Sequence, residues 1–360
     1  MIQEKTERIQ KSISQTNQFM KRLPHTALPV LAAAILCLTA SCSKESPSAG
    51  APVVQEGTAV RVAFNATQPS VRQYVSGEGD GVGSLDLLVF RASDGLLAAR
   101  ERVTGEEEIG ASVTAGMTMD WYIIANAPEG TFSSFTDETT FLSALTPLTQ
   151  TSASTMVMHA EGTTAFTAST GTVEAPLSRY ASKVTVNDVS VPWLDSFATA
   201  PSCSIERVGL INVVGTAPWS GTPATGSVWY NRSGFDGTLS AALRSMLLWD
   251  DGVTVTAGEA ATVGESFFAM PNPITGGDYG APWSERGTRV ALELLVGGQA
   301  NWYMIDLPAM EGNRHYVLNE VVILGPGATA PDLPLDRSSV TFGIEILDWG
   351  SDTKNAEFGT

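Results

Sequence analysis

The sequence predicts an all-β protein, and three observations support this fold class. Gly (34) and Pro (19) are frequent among the 360 residues, and only 16% of the residues are charged. Val, Thr and aromatic residues recur in short alternating or wholly apolar runs, which Gly, Pro or Asp residues bound. Such runs are typical of short strands joined by turns, and a series of them suggests β-sandwiches. The chain is long enough for two domains with complete hydrophobic cores.

The first 41 residues are predicted to be an N-terminal extension followed by an export signal. Lys21 and Arg22 precede a short apolar stretch, residues 28–38, and small residues then lead to Cys42. This order is the pattern of a lipoprotein signal, in which the cysteine thiol is acylated and becomes the first mature residue. The apolar stretch is too short to span a membrane comfortably. The alternative is an ordinary signal peptide with an incidental cysteine.

Composition and charge narrow the function of the mature chain. Residues 42–57 are rich in Ser, Ala, Gly and Pro and are predicted to be a flexible tether. The whole chain has a net charge of −17, and removal of the basic residues 1–41 leaves about −20 on the remainder. Such an acidic surface repels phosphate backbones and argues against nucleic-acid binding. Cys203 is the one cysteine left without a predicted role, so no disulfide can form within one mature chain.

The strands are predicted one by one from alternating or wholly apolar runs, and the domain boundary is placed between them. The eleven predicted strands are residues 60–66, 85–90, 121–125, 156–159, 183–189, 207–214, 266–270, 290–296, 302–307, 316–324 and 340–347. Residues 58–175 are predicted to form an N-terminal β-sandwich domain and residues 176–360 a C-terminal β-sandwich domain.

Two short helices are predicted in loops that cap the sandwiches. Residues 136–145 begin with Thr136 as a candidate N-cap and carry apolar side chains on one face. Residues 239–247 follow the i, i+3, i+4, i+7 spacing of an amphipathic helix, with Thr238 in front.

No catalytic site, metal site or cofactor is predicted. His159 and His315 lie in or beside predicted strands, and neither has a Ser or Cys motif beside it. Zinc, calcium and phosphate-binding spacings do not occur in the sequence. The acidic clusters at 106–108 and 250–251 could bind a divalent cation, but a solvated turn is the more common reading. The sequence therefore favours a protein that is not an enzyme.

The first and last predicted strands each have one apolar face and are candidates for exchange between molecules. The apolar positions are Val60, Val62, Phe64 and Ala66 in the first strand, and Val340, Phe342, Ile344 and Ile346 in the last. If the first strand were removed, its sheet would expose an apolar groove that a similar strand of another molecule could fill. Four or five inserted side chains would contribute roughly 6–15 kcal/mol, and the head-to-tail contact would give filaments. The alternative is that both strands stay in their own sheets.

Several segments of the mature chain resemble the major fimbrial subunits (fimbrillins) of Bacteroidia, the type V pilins. The segments are residues 58–95, 119–127, 136–148 and 177–186, then Asn313-Arg314-His315-Tyr316 leading to 323–327, and a last strand that ends in Asp348-Trp349. Each motif is loose, but their order and spacing cover nearly the whole mature chain.

The resemblance implies two transthyretin-like β-sandwich domains with short capping helices, in a lipidated precursor at the cell outer membrane. It implies that an Arg-specific protease cuts after Arg72, so that Gln73 becomes the N-terminus and the first strand is freed. The last strand, residues 340–349, would then be donated to another copy or a related pilus subunit. The expected location after processing is a fimbrium on the cell surface, where a host or bacterial receptor would be the adhesion partner.

Other functions stay open at this point. A pilus anchor or tip subunit, or a lipid-anchored surface module that binds a glycan or host protein, would escape this cleavage; an anchor or surface module would keep an acylated Cys42. In such a module Trp229, Tyr230 and Trp249 are candidate sugar-binding side chains. A hydrolase on a β-sandwich would need a carboxylate pair across a cleft.

Overall fold

The computed structural model describes residues 59–67, 81–152, 155–221, 228–277, 282–333 and 339–349. These residues form twenty-two strands, two α-helices and two 3₁₀ turns, the turns being Leu148–Gln150 and Pro192–Ser196. The all-β fold class that the sequence predicts is therefore confirmed. All of these residues lie in one compact unit, Val53–Thr360.

The first nine strands supply two large sheets. They are β1 Ala59–Thr67, β2 Ser84–Arg91, β3 Leu97–Thr104, β4 Glu108–Thr114, β5 Thr118–Ala125, β6 Leu145–Pro147, β7 Met158–Ala165, β8 Thr172–Pro176 and β9 Ser178–Arg179. One sheet has three strands in the order β4-β1-β8, and the other has five in the order β3-β2-β5-β7-β9. The rings of Phe64 in β1 and Trp121 in β5 lie 5.5 Å apart, so the two sheets pack face to face.

Ten of the remaining thirteen strands form two five-stranded sheets. They are β10 Ser182–Ser190, β11 Cys203–Ile211, β12 Val213–Val214, β13 Thr216–Pro218, β14 Trp229–Tyr230, β15 Leu248–Trp249, β16 Val253–Thr254, β17 Ala260–Ala269, β18 Arg289–Val296, β19 Gln299–Asp306, β20 Arg314–Ile323, β21 Val340–Phe342 and β22 Glu345–Asp348. One sheet has the order β17-β10-β20-β21, with β22 also on β20. The other has the order β15-β11-β18-β19, with β16 also on β11.

Both helices are capped by side chains and begin slightly later than the sequence predicts. Helix α1, Glu138–Ser143, has Asp137 as its N-cap in place of Thr136, because the Asp137 carboxylate accepts a backbone N–H of the first turn at 2.8 Å. Helix α2, Ala241–Leu247, has Ser240 as its N-cap and buries three apolar side chains. In α1, the hydrogen bond from the Thr140 N–H to the Asp137 carboxylate holds the pKa of Asp137 below its usual value.

Each of the eleven predicted strands overlaps a strand of the structure. Apart from β6, the strands up to Arg179 form the first two sheets, and apart from β12, β13 and β14, the strands from Ser182 form the two five-stranded sheets. The short pair of β6 with β13 joins the two halves, and one continuous apolar core runs through both. The division into two domains at residues 175 and 176, and their transthyretin-like topology, stay predictions.

Candidate functional site

Strand β1 is the middle strand of its sheet and buries the apolar face that the sequence predicts. It pairs antiparallel with β4 and parallel with β8. Val62, Phe64 and Ala66 are 0%, 0% and 2% exposed, and Val60 is half-buried against the core. The Phe64 ring lies 6.1 Å from that of Phe166, in addition to its contact with Trp121. A strand that fills the centre of a sheet and its core contributes strongly to the stability of both.

Removal of β1 would leave two separated edges over an apolar floor. Within the described residues, β1 is the strand that joins β4 to β8. Ile109, Ala111 and Val113 of β4 are buried opposite Phe64, Val62 and Val60, and Ala175 of β8 is buried opposite Ala66; the four groove side chains are thus 0–3% exposed. Unpaired edges beside buried apolar side chains are the features that accept an added strand.

One end of the β1 position is acidic. The Asn65 side chain donates a hydrogen bond from Nδ2 to Glu174 Oε2 of β8 at 3.0 Å, and Asn65 also lies opposite Glu108 of β4. The Ala66 N–H donates to the Glu107 carbonyl at 2.9 Å, which places the turn before β4 beside the end of β1. The polar face of β1 therefore carries a hydrogen-bond donor where two carboxylates meet.

The last strand differs from the continuous strand that the sequence predicts over 340–349. It is divided into β21 and β22, both antiparallel to β20, with a break at Gly343 and Ile344. Three residues of β20 lie opposite these two residues, because Val317 pairs with Glu345 and Val321 with Phe342. This extra residue is a β-bulge, which interrupts the ladder and bends the strand.

Two of the four apolar side chains of the last strand lie outside the hydrophobic core. Val340 is 8% exposed and Ile344 is half-buried, whereas Phe342 is 39% and Ile346 is 52% exposed. Their partners on β20, Val321 and Tyr316, are 0% and 1% exposed. Paired residues share one face of a sheet, so Phe342 and Ile346 lie on the same face as Val321 and Tyr316, and the described residues cover them only in part. An open cleft of about 460 Å³ lies beside the break.

The end of the last strand is held by Trp349. The Trp349 side chain is 5% exposed and stacks on Phe268 of β17, with ring centroids 5.6 Å apart. The guanidinium of Arg179 lies 4.7 Å from the centre of the indole and donates to the Trp349 carbonyl at 3.0 Å. Asp348 forms an ion pair with Arg314 of β20. The strand is thus attached at its end and exposed in its middle.

The connector, residues 325–334 before the last strand, is rich in Pro and Gly, a composition that predicts a loose segment. Its described part is more ordered than this composition predicts. Ala328 and Trp302 exchange two backbone hydrogen bonds, of 2.8 and 2.9 Å, as an isolated bridge beside β19. The Tyr303 hydroxyl donates to the Gly325 carbonyl at 2.8 Å. Only a short stretch pairs, because Pro326 and Gly327 directly precede Ala328 and Pro331 follows it by three residues.

A buried ion pair fixes the far end of the same connector. Asp332 Oδ2 lies 2.9 Å from Arg286 Nη1, and the two side chains are 7% and 0% exposed. Arg289 approaches the other carboxylate oxygen of Asp332 at 3.8 Å and also pairs with Asp306 of β19 at 2.8 Å. The connector therefore stays with its own domain at least as far as Asp332.

The remaining predicted site residues lie outside the described part of the chain. These are Cys42, Arg72 and Gln73. Acylation of the first and cleavage between the other two stay predictions, as does the tether over residues 42–57.

The histidines and the cysteine that the sequence singles out are structural. His315 shares a hydrogen bond with the Thr185 hydroxyl at 2.8 Å. Cys203 is buried, which raises the pKa of its thiol to about 11. Among the described residues, no three or more His, Cys, Asp or Glu side chains are grouped to hold a metal ion. A helix of sufficient length and apolarity to cross a membrane is absent from the same part of the chain.

His159 of β7 is partly buried, and its ring is neutral near pH 7 in the folded state. Its ring stacks on Tyr180 with centroids 4.3 Å apart, and Gly221 leaves room for it, since a Cβ there would lie 2.3 Å from the ring. Burial lowers the pKa of His159 to about 4, from an ordinary value of 6.5. A second cleft lies beside the His159 ring, and its lining includes Arg179, Arg314, Glu311 and Asp348.

We expect this histidine to make the fold less stable in acid. The His159 ring binds a proton near pH 6.5 in the unfolded chain but only near pH 4 in the folded chain. The free energy of unfolding is therefore at its full value above pH 6.5 and decreases as the pH falls toward 4. Between pH 7 and pH 4.5 this loss amounts to roughly 2 kcal/mol, since each tenfold change in the folding equilibrium constant is about 1.4 kcal/mol. Denaturant titrations at pH 7 and pH 4.5 on the parent and on His159→Phe measure it, since other titrations cancel in the difference. Equal losses in both proteins would contradict the expectation.

The two strands that flank β1 are missed by the sequence analysis. The run Ile109, Ala111, Val113 of β4 does alternate, but Gly and Ser between its members weaken the signal. Strand β8 has only Val173 and Ala175 as apolar members before a proline. The charge cluster at 106–108 is read as a turn and does precede β4, which begins at Glu108.

Solved structures place this chain in the fold class of the surface adhesion and fimbrial proteins of Bacteroidia. A protein of Bacteroides eggerthii described as a candidate cell adhesion protein matches with a TM-score of 0.57 and 17% identity, over 83% of this chain and 98% of that one. A fimbrilin (FimA) of Porphyromonas gingivalis matches with a TM-score of 0.54 and 13% identity, over 82% and 99%. The C-terminally truncated tip fimbrial protein Mfa3 of the same species matches with a TM-score of 0.52 and 14% identity, over 81% and 100%. Identities this low show similarity of fold alone.

A family model also matches part of the sequence. Residues 58–200 match the family model described as the major fimbrial subunit protein (FimA). No curated protein matches the chain significantly. The resemblance to the major fimbrial subunits of Bacteroidia, which the sequence motifs predict, is therefore confirmed.

Proposed function

We propose that this chain is a structural subunit of a surface fimbria that polymerises by strand exchange. After proteolytic removal of β1, the last strand of another copy or of a related pilus subunit takes the empty place. The observation that carries this proposal is the position of β1 between β4 and β8, with Val62, Phe64 and Ala66 fully buried. Adhesion to a host or bacterial surface would be the role of the assembled fibre.

The energetics support exchange over simple loss of β1. Each fully buried apolar side chain of β1 contributes about 1.5–3 kcal/mol, and the edges of β4 and β8 need new hydrogen-bond partners. A subunit without β1 would expose this surface to water and would bind a strand of similar pattern. The last strand has that pattern, and its own domain leaves Phe342 and Ile346 exposed. The strand therefore has apolar surface to bury elsewhere.

Cleavage after Arg72 is the processing step that fits this geometry. Arg72 lies in the segment between β1 and β2, so a cut there disconnects β1 together with the tether and Cys42. Arg61 is the other arginine in reach, but its backbone is paired opposite Ser112 in the middle of β1. A protease would have to break this pairing to cut at Arg61, and Arg72 is therefore the proposed site. Before the cut, an acylated Cys42 would hold the precursor at the outer membrane.

We expect sheared surface material to contain high-molecular-weight ladders that begin at Gln73. Ladders on unheated denaturing gels and N-terminal mass spectrometry measure this in cells that export the full chain. Arg72→Ala is expected to abolish the Gln73 terminus and the ladders, and deletion of residues 340–360 is expected to abolish the ladders alone. Arg61→Ala is the matched control and is expected to change neither.

The opposite outcome would favour the alternative functions. A monomer that begins at acylated Cys42 in the parent, with ladders absent, would indicate a pilus anchor or a lipid-anchored surface binding protein. Ladders that persist in the chain lacking 340–360 would exclude the last strand as the donor.

A further inference from the structure

We propose that the inserted strand runs in the direction opposite to β1, with Phe342 of one copy in the place of Phe64 in the next. This inference rests on the proposed strand exchange and adds the direction and register of the contact. The inserted strand would then pair parallel with β4 and antiparallel with β8, the reverse of the pairing that β1 makes.

Two arrangements fill all four apolar places of β1 with the four apolar residues of the last strand. In the same direction as β1, Val340, Phe342, Ile344 and Ile346 take the places of Val60, Val62, Phe64 and Ala66, in that order. In the opposite direction, they take the places of Ala66, Phe64, Val62 and Val60. A shift by one residue in either case turns the apolar side chains to the polar face.

Side-chain size favours the opposite direction. The place of Phe64 lies between the rings of Trp121 and Phe166, at 5.5 and 6.1 Å, and is shaped for a ring. The place of Val62 is fully buried and holds a smaller side chain. The same direction puts Phe342 in the valine place and an isoleucine in the ring place, which overpacks one and leaves a void in the other.

The opposite direction matches three of the four places more closely, the exception being the place of Val60, where the same direction would put Val340. Phe342 replaces a phenylalanine, and Ile344 adds one carbon at the place of Val62. Ile346 adds one carbon at the place of Val60, which is only half-buried and has room. Val340, the smallest of the four, replaces Ala66.

Charge favours the same arrangement independently. The place of Asn65 lies opposite Glu108 and within hydrogen-bond distance of Glu174, at 3.0 Å. The same direction would put Glu345 there, so that three carboxylates meet, and like charges directly opposite are destabilising. The opposite direction puts Thr341 there, whose hydroxyl can donate to Glu174 as the Asn65 amide does.

The opposite direction also moves Glu345 away from the acidic end of the groove. Glu345 then takes the place of Arg61, opposite Ser112 of β4. This place is four residues from that of Asn65, on the order of 13 Å along an extended strand. Gly343 takes the place of Ala63 in both arrangements and does not discriminate between them.

Cysteine cross-linking between copies distinguishes the two directions. Thr114 of β4 lies opposite Ala59, the first residue of β1. In the opposite direction Leu347 takes the place of Ala59, whereas in the same direction Ser339 does. Ser339 and Leu347 are on the order of 26 Å apart in an extended strand, so a short reagent attached to Thr114→Cys cannot reach both positions. Neither replacement changes Glu345, Glu108 or Glu174.

The experiment compares Thr114→Cys/Leu347→Cys with Thr114→Cys/Ser339→Cys in the full chain, expressed in exporting cells. Polymers are treated with a short bifunctional thiol reagent and boiled, and the single-cysteine variants are the controls. We expect a boiling-resistant ladder with the Leu347 pair and at least a tenfold weaker one with the Ser339 pair. A boiling-resistant ladder with the Ser339 pair would overturn the proposed direction. The direction would also be overturned if unheated ladders form but neither pair gives a boiling-resistant ladder. Both outcomes would leave the proposed strand exchange intact. Absence of unheated ladders in the parent would overturn the proposed function itself.

Discussion

Replacement of Phe64 by alanine is expected to lower the free energy of unfolding of the uncleaved chain by about 3–5 kcal/mol, the usual cost of removing a buried phenylalanine ring. Phe64 is 0% exposed and contacts Trp121 and Phe166 across the two sheets, so the cavity has little freedom to collapse. In the proposed polymer β1 would be replaced, so the same substitution is expected to have no effect on resistance to heat or detergent. Denaturant titration of the precursor in an Arg72→Ala background, and ladder melting of the cleavable chain, measure the two quantities.

Phe90 provides the matched control for this contrast. It is also 0% exposed and lies in β2, which stays in the subunit after the proposed cleavage. Phe90→Ala is expected to cost about 3–5 kcal/mol in the precursor and to weaken the polymer as well. The contrary result would be that Phe64→Ala and Phe90→Ala weaken the assembled polymer equally. In that case β1 would have to remain in the assembled subunit.

The sequence predicts β1 well because its signal is local. Four apolar residues alternate in Val60–Ala66, and the structure buries three of them fully. Long, regular runs such as β18 and β20 are predicted for the same reason. Strands β4 and β8, which form the walls of the proposed groove, are recognisable only once their pairing with β1 is known. Short strands of small residues carry too little periodicity to be separated from turns.

The last strand shows where local pattern stops being sufficient. Alternation at 340–346 predicts an apolar face, but whether Phe342 and Ile346 are buried depends on whether another layer covers that edge of the sheet. The break at Gly343 follows from the bulge in β20, where Asn319 and Glu320 are both exposed. Neither fact is contained in the residues of the last strand itself.

The connector makes the same point through charge. Its composition predicts a loose segment, and the structure instead fixes it by the pair of Asp332 with Arg286, which is 46 positions away in the sequence. A partner so distant cannot be recognised from spacing. The pair matters for the proposed exchange, because it sets the point from which the last strand can leave its own domain.

Replacement of Asp332 by asparagine is expected to lower the free energy of unfolding by about 3–5 kcal/mol, the usual cost of removing one partner from a buried ion pair. The Arg286 side chain is 0% exposed and lies 2.9 Å from the carboxylate, so the lost charge is not replaced by water. Asparagine keeps the size of the side chain and tolerates the positive φ of 62° at this position, which separates the charge from backbone strain. Denaturant titration of the uncleaved chain measures the loss.

Asp94→Asn is the matched control for the charge. Asp94 pairs with Arg91 at 2.8 Å, but both side chains are more than a third exposed, at 44% and 36%. Exposed pairs of this kind contribute about 0–1 kcal/mol, so little change is expected. Arg286→Met combined with Asp332→Asn is expected to cost less than Asp332→Asn alone, since Arg286 is then no longer a buried cation without its carboxylate.

If Asp332→Asn were as mild as Asp94→Asn, the connector would not be fixed at Asp332, and a longer segment could take part in exchange. If it destabilises the precursor and also weakens the polymer, unlike Phe64→Ala, the connector stays attached to its own subunit while the strand beyond it reaches the next one.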